Sequence, residues 1–93
     1  MLTVTLRTLL DSTGRTRVVM TRRPADPLDP RVIGIHDCPH AAVREILSIM
    51  RRIRQALPEA LHSVHCITTE KRGRLYCRLR AVLDLLPGQT ISV

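Results

Sequence analysis

PHAAVREILSIMRRIRQAL, residues 39–57, is the stretch whose reading decides the fold. Val43, Ile46, Leu47, Met50, Ile53 and Leu57 fall at offsets of 0, 3, 4, 7, 10 and 14, one face of a 3.6-residue helix. Ala42, Ile49 and Ala56 widen the stripe on one side, and His40, Arg44, Arg51 and Gln55 line the other. Arg54 falls at the edge of the stripe, where its charged head is expected to reach solvent. Asp37-Cys38-Pro39 opens the segment, because proline suits the first helical turn and its predecessor resists helical angles. Pro58 closes it. Every other stretch is too short and too strand-like to fold without this stripe. The expected core is therefore Val43, Ile46, Leu47, Met50 and Ile53 packed on a sheet of four or more strands.

Upstream of the helix, Leu2, Val4 and Leu6 alternate with Thr3, Thr5 and Arg7, the signature of a half-buried strand. Asp11-Ser12-Thr13-Gly14 reads as a turn, and residues 15–22 as the returning strand of a hairpin. The register of that second strand is ambiguous because Val18, Val19 and Met20 are consecutive. Residues 23–30 hold three Pro and two Asp and are expected to be a loop. Residues 31–35 (RVIGI) form a short extended run weakened by Gly34. Downstream, residues 58–61 are a candidate extra helical turn. Residues 64–69 and 74–83 are expected strands, joined by Glu70-Lys71-Arg72-Gly73. Leu86-Pro87-Gly88-Gln89 carries Pro-Gly at the centre of a type II turn, with residues 90–93 as a candidate last strand. The expected order is β-β-(β)-α-β-β-(β), an α+β plan with one amphipathic helix on an antiparallel sheet.

At 93 residues the chain reads as a single domain, residues 1–93, with the linker at 23–30. A domain this small is marginal in burial, so a homodimer or other partner is expected. There is no Phe or Trp and one Tyr, which leaves the core to aliphatic side chains. The net charge is +7, and fourteen of the fifteen cationic residues are Arg, whose planar fork matches phosphate and carboxylate. Nucleic acid, acidic proteins and anionic surfaces are the partners such a charge favours. No stretch approaches the ~20 apolar residues of a membrane span, so a membrane partner is not expected. The three cysteines, Cys38, Cys66 and Cys77, follow no secretory leader and are expected as free thiols in a reducing cytoplasm.

His36, Cys38 and His40 form one group of zinc-competent donors, and His62, His65 and Cys66 another. Their spacings match no common zinc signature, and a helix about 25 Å long separates them. Neither a metal nor a cofactor is expected. Cys38, ahead of the helix with His36 and His40 nearby, is the one local arrangement that would make a reactive thiol. The eight carboxylates, however, are scattered, and no oxyanion donor is identifiable. No catalytic residue is assigned, and the chain is not expected to be an enzyme.

The basic surface is the strongest feature. If Leu75, Cys77 and Leu79 face the helix, then Tyr76, Arg78 and Arg80 face away from it, and Arg7 does the same on the first strand with Arg15 and Arg17 nearby. Arg72 and Arg74 add charge at a hairpin tip, and Arg44 and Arg51 form a second strip on the helix flank. One Tyr is too few for a stacking platform of the single-strand type. The expected function is therefore that of a small accessory protein binding duplex DNA or structured RNA through Arg–phosphate contacts. The rival is an adaptor or inhibitor whose Arg surface docks on an acidic protein surface of a larger complex. Acidic and apolar residues mixed into the basic face would favour that rival, and Leu28 between Asp26 and Asp29 points that way.

Overall fold

The computed structural model describes residues 1–91. Among them are five antiparallel strands and one helix: β1 (Leu2–Leu10), β2 (Thr16–Arg23), β3 (Arg31–His36), α1 (Pro39–Ala56), β4 (Leu61–Lys71) and β5 (Arg74–Leu83). The sheet order is β3-β2-β1-β5-β4, so the first and last strands of the two hairpins meet in the middle. This is the expected α+β plan. Residues 58–60 are a turn, not a helical extension, and the chain enters β4 at Leu61. Of the candidate strand at 90–93, Thr90 and Ile91 are not in a strand, and residues 92–93 lie outside the described residues.

The pleat resolves the ambiguous register of β2. Val4 pairs with Arg22, Leu6 with Met20 and Thr8 with Val18, while Arg7 pairs with Val19. Val18 and Met20 therefore face the helix together with Val4 and Leu6, and Val19 faces away. On β5, Cys77, Leu79, Ala81 and Leu83 complete the core. The β1–β5 ladder ends at Arg7–Arg78. Beyond it, the buried Thr8 hydroxyl accepts a hydrogen bond from the Cys77 N–H (3.0 Å), so a side chain supplies a bond the ladder no longer makes.

The helix runs across β5, β1, β2 and β3. Glu45 reaches the β3 side, where its carboxylate lies 3.2 Å from His36 Nε2 and occupies the space a Cβ at Gly34 would need. The buried helical residues are Ala42, Ile46, Ile49, Met50 and Ile53. One residue expected in the core is displaced from it, Leu47 at 45% exposed, while Val43 is half-buried and packs at the core's margin. Both lie on the flank opposite Glu45, toward β5 and β4. The helix has no extensive contact with β4, of which only Leu61 and Val64 pack against the core.

Two turns are held by carboxylates. Asp11 accepts from Thr13 Oγ1 (2.6 Å), the Thr13 and Arg15 N–H groups and Arg17 Nε (3.0 Å). The Thr13 hydroxyl, then the Arg17 guanidinium, hold its carboxyl well below the usual carboxylate range. Asp29, 3% exposed, accepts from the Arg22 N–H (2.9 Å) and Arg22 Nε (3.0 Å), while Arg22 Nη2 reaches Asp26 at 2.7 Å. Burial opposes the Arg22 charge, but Asp29 and Asp26 more than offset it and raise its pKa.

Met50→Ala or Ile53→Ala should destabilise the fold by about 2–5 kcal/mol, the range for a buried truncation, whereas Leu47→Ala should cost under about 1 kcal/mol. Asp29→Ala should cost about 1–3 kcal/mol by removing the acceptor of the Arg22 N–H and Nε, with Asp26 still beside the guanidinium. Urea unfolding followed by circular dichroism measures all four variants.

A basic sheet face as candidate interface

Residues two apart on a strand share a face, and the face away from α1 follows from the register. Arg7 lies between Val19 and Arg78, with Val32 beyond Val19 and Ile67 beyond Arg78. Thr5 lies between Thr21 and Arg80, with His65 next to Arg80. Thr3 lies between Arg23 and Val82, with Ser63 at the edge. No carboxylate side chain sits on these strand positions among the described residues.

Arg7 and Arg78 are directly opposite on neighbouring strands, an arrangement that destabilises a sheet unless something neutral or negative intervenes. Arg80 follows Arg78 on the same face at about 6.8 Å along the strand. Among the described residues, none of Arg7, Arg78 and Arg80 has a carboxylate within salt-bridge distance, and all three are exposed. Arg78 and Arg80 form one wall of an open trough of about 480 Å³, with Ser63, His65, Ile67 and Val82 completing it. A second open trough of about 380 Å³ at the hairpin tip brings Lys71, Arg72, Arg74 and Tyr76 together beside Leu10.

The residues singled out in the sequence thus divide into three groups. Arg7, Arg78 and Arg80 converge at the centre of the outer face, with Arg72, Arg74 and Tyr76 along its hairpin end. Arg17 shares the face, but its Nε is 3.0 Å from Asp11. Arg15 is 3.2 Å from Asp37. Arg44 and Arg51 are exposed on the helix, which covers the other face of the sheet, so they do not join the cluster. Two members went unrecognised in the sequence. Arg23 required the register of β2, and His65 required the pairing of β4 with β5.

The face is not purely polar. Leu9, Val32, Ile35 and Ile67 are each 45–59% exposed, and the register or alternation places all four on it. Leu28 is also exposed, but Asp26 and Asp29 beside it turn inward to Arg22 and contribute no free negative charge.

The His and Cys groups disperse. His36 lies against Glu45, Cys38 Sγ is 3.9 Å from His40 Nδ1, and His65 and Cys66 point to opposite faces. No three metal-competent side chains converge among the described residues. All three cysteines are free. The two-residue turn at Arg72-Gly73 puts Cys66 and Cys77 on the helix side together, with Sγ atoms 3.7 Å apart. Burial, with Cys66 adding, pushes the Cys77 thiol up to about 11.

Comparison with known protein families, curated proteins and solved structures finds no significant match. No helix among the described residues is long and apolar enough to cross a membrane.

Cys38 and Cys66 should react rapidly with maleimide and Cys77 only on unfolding, counted by intact mass. Because the folded state of Cys77 resists ionisation, its contribution to stability is full below about pH 9, where the unfolded thiol is protonated. It declines as pH rises toward about 11. Cys77→Ala should remove that part of the alkaline slope in urea titrations.

Proposed function

We propose that the protein is an accessory factor that binds the phosphate backbone of duplex DNA or structured RNA through the outer face of its sheet, without catalysis. The observation that carries this reading is the Arg7–Arg78 pair, two like charges placed directly opposite with Arg80 beside them and, among the described residues, no carboxylate within salt-bridge distance. A phosphate between the guanidinium forks relieves the repulsion and accepts from both. Thr3, Thr5, Thr21 and Ser63 surround the cluster with hydroxyls that also suit phosphate oxygens. Shape and charge, more than base stacking, fit a face with one Tyr at its margin. The net charge of +7 draws nucleic acid to the surface, and three free thiols support a cytoplasmic setting.

A second reading rests on a separate observation. Four exposed aliphatic side chains are interleaved with the Arg residues, which also suits an acidic, partly apolar protein surface. In that case the protein is an adaptor or inhibitor on a larger complex.

Salt titration distinguishes the two. Four to six Arg contacts to a duplex imply a log–log slope of binding against salt of roughly −4 to −5. Arg78→Ala with Arg80→Ala should flatten the slope by about two units and weaken all sequences alike, because phosphate contacts carry no base information. Unchanged circular dichroism checks that the exposed double substitution leaves the fold intact. No measurable binding to duplex DNA or structured RNA at low salt would end the nucleic-acid reading and leave the protein-binding one.

A further inference from the structure

We infer that the protein forms a two-fold symmetric dimer by antiparallel pairing of its β4 edges, joining two five-stranded sheets into one. This inference rests on the sheet edge and is independent of any ligand.

The β4 edge is long and unprotected. It runs eleven residues, contains no Pro or Gly, and carries no irregularity after Ser63. Native edges are normally blunted by shortness, bulges, proline or charge. The opposite edge has such devices: β3 is six residues long, its pairing with β2 is interrupted at Val18/Val19, and Pro30 precedes it. Strand β4 has none in its central stretch, and although Leu61 and Val64 pack against the core, Cys66, Thr68 and Glu70 farther along the same face are exposed.

The hydrogen-bonding groups that point outward can be identified. Arg72 and Gly73 have φ of 54° and 74°, and they close the hairpin as a two-residue type I′ turn between the paired Lys71 and Arg74. In such a turn the closing pair is hydrogen-bonded, and the pattern then alternates along the ladder. Glu70, Thr68, Cys66 and Val64 therefore direct their N–H and C=O groups away from β5. Centred on Cys66, a second copy brings Val64 opposite Thr68 and Cys66 opposite Cys66, pairing those groups in both directions. From Ser63 onward the same register sets Ile67 opposite His65 and Thr69 opposite Ser63, with each pair on one face.

Charge and area both indicate a second copy. Two chains of +7 repel, yet the eleven residues of β4 contain one Glu, one Lys and no Arg, so the strands approach where their own charges cancel. A monomer of 10.5 kDa exposes about 5,400 Å² by the usual scaling with mass, whereas this chain exposes 6308 Å². The excess is close to the ~800 Å² that each partner contributes to a standard interface. The symmetric pairing closes both free β4 edges in one contact. It also places the two β5 strands three strand spacings apart, about 14 Å, so that both Arg78–Arg80 rows lie on one continuous face.

Sedimentation equilibrium of the full chain, free of nucleic acid, should give a dimer in the micromolar range. Thr68→Pro removes an outward N–H without touching the β5 ladder, and should weaken association at least about tenfold. Thr68→Lys, which places a charge where two strands meet, should do the same and serves if the proline variant does not fold. In a Cys38→Ser background, a short bis-maleimide should join two copies through Cys66, and Thr68→Lys should abolish the link. A monomer at submillimolar concentration, or a dimer unaffected by a folded Thr68 variant, overturns the proposal. The first of these outcomes would leave the edge to a strand from a different protein.

Discussion

An α-helix of 18 residues is about 27 Å long and about 10 Å wide, whereas five strands at about 4.8 Å spacing make a sheet roughly 20–25 Å across. A helix about 10 Å wide covers only a stripe of one face of that sheet, and the rest of the structure depends on this shortfall. By lying across β3, β2, β1 and β5, α1 buries Val4, Leu6, Val18, Met20, Leu79 and Leu83 beneath Ile46, Ile49, Met50 and Ile53. What it cannot reach is left uncovered: the far part of the inner face of β4 at Cys66, Thr68 and Glu70, the flank of the helix carrying Leu47, and the opposite face of the sheet, where Val19 alone among the apolar residues is buried by its neighbours. The fold is stabilised on one side, and its interactions are available on the other.

On the uncovered face the central cations are set directly opposite and beside one another. Four other cations are accompanied by carboxylates: Arg17 by Asp11, Arg22 by Asp26 and Asp29, Arg31 by Asp29, and Arg15 by Asp37. These pairs hold turns and loops. At the centre of the outer face Arg7, Arg78 and Arg80 have no such companion among the described residues. Exposed pairs contribute little stability, so the asymmetry matters chiefly for recognition, where an uncompensated cluster sets the local potential. The exposed aliphatics between the guanidiniums extend the contact surface beyond phosphate alone.

Buried polar groups show how closely the central strands are specified. Thr8 would be a neutral surface residue on composition alone, but its hydroxyl lies against the Cys77 backbone where β1 and β5 separate. Cys77 beside it is buried, while Cys66, one strand outward, is exposed. The boundary between covered and uncovered sheet therefore passes between two neighbouring thiols on the same face.

The amino-acid sequence by itself determined the helix at 39–56, both hairpins, the single α+β domain and the placement of Arg7, Arg78 and Arg80 on a face away from the helix. Those features follow from periods of 3.6 and 2 and from turn chemistry, which are local. Tertiary structure alone decided three further things. The register of β2 chose between Val18 and Val19 and thereby turned Arg23 outward, because only pairing with β1 fixes which of consecutive apolar residues meets the core. The seat of α1 rotated the buried stripe toward Ala42 and Ile49 and left Leu47 exposed, because the periodic stripe is wider than the layer beneath it. The chain order of the strands gave no indication that β1 and β5 would be neighbours, since a contact 69 residues apart has no local signature. That pairing sets Arg7 against Arg78 and makes β4 an edge, because strands that meet at the centre of a sheet send their hairpin partners outward.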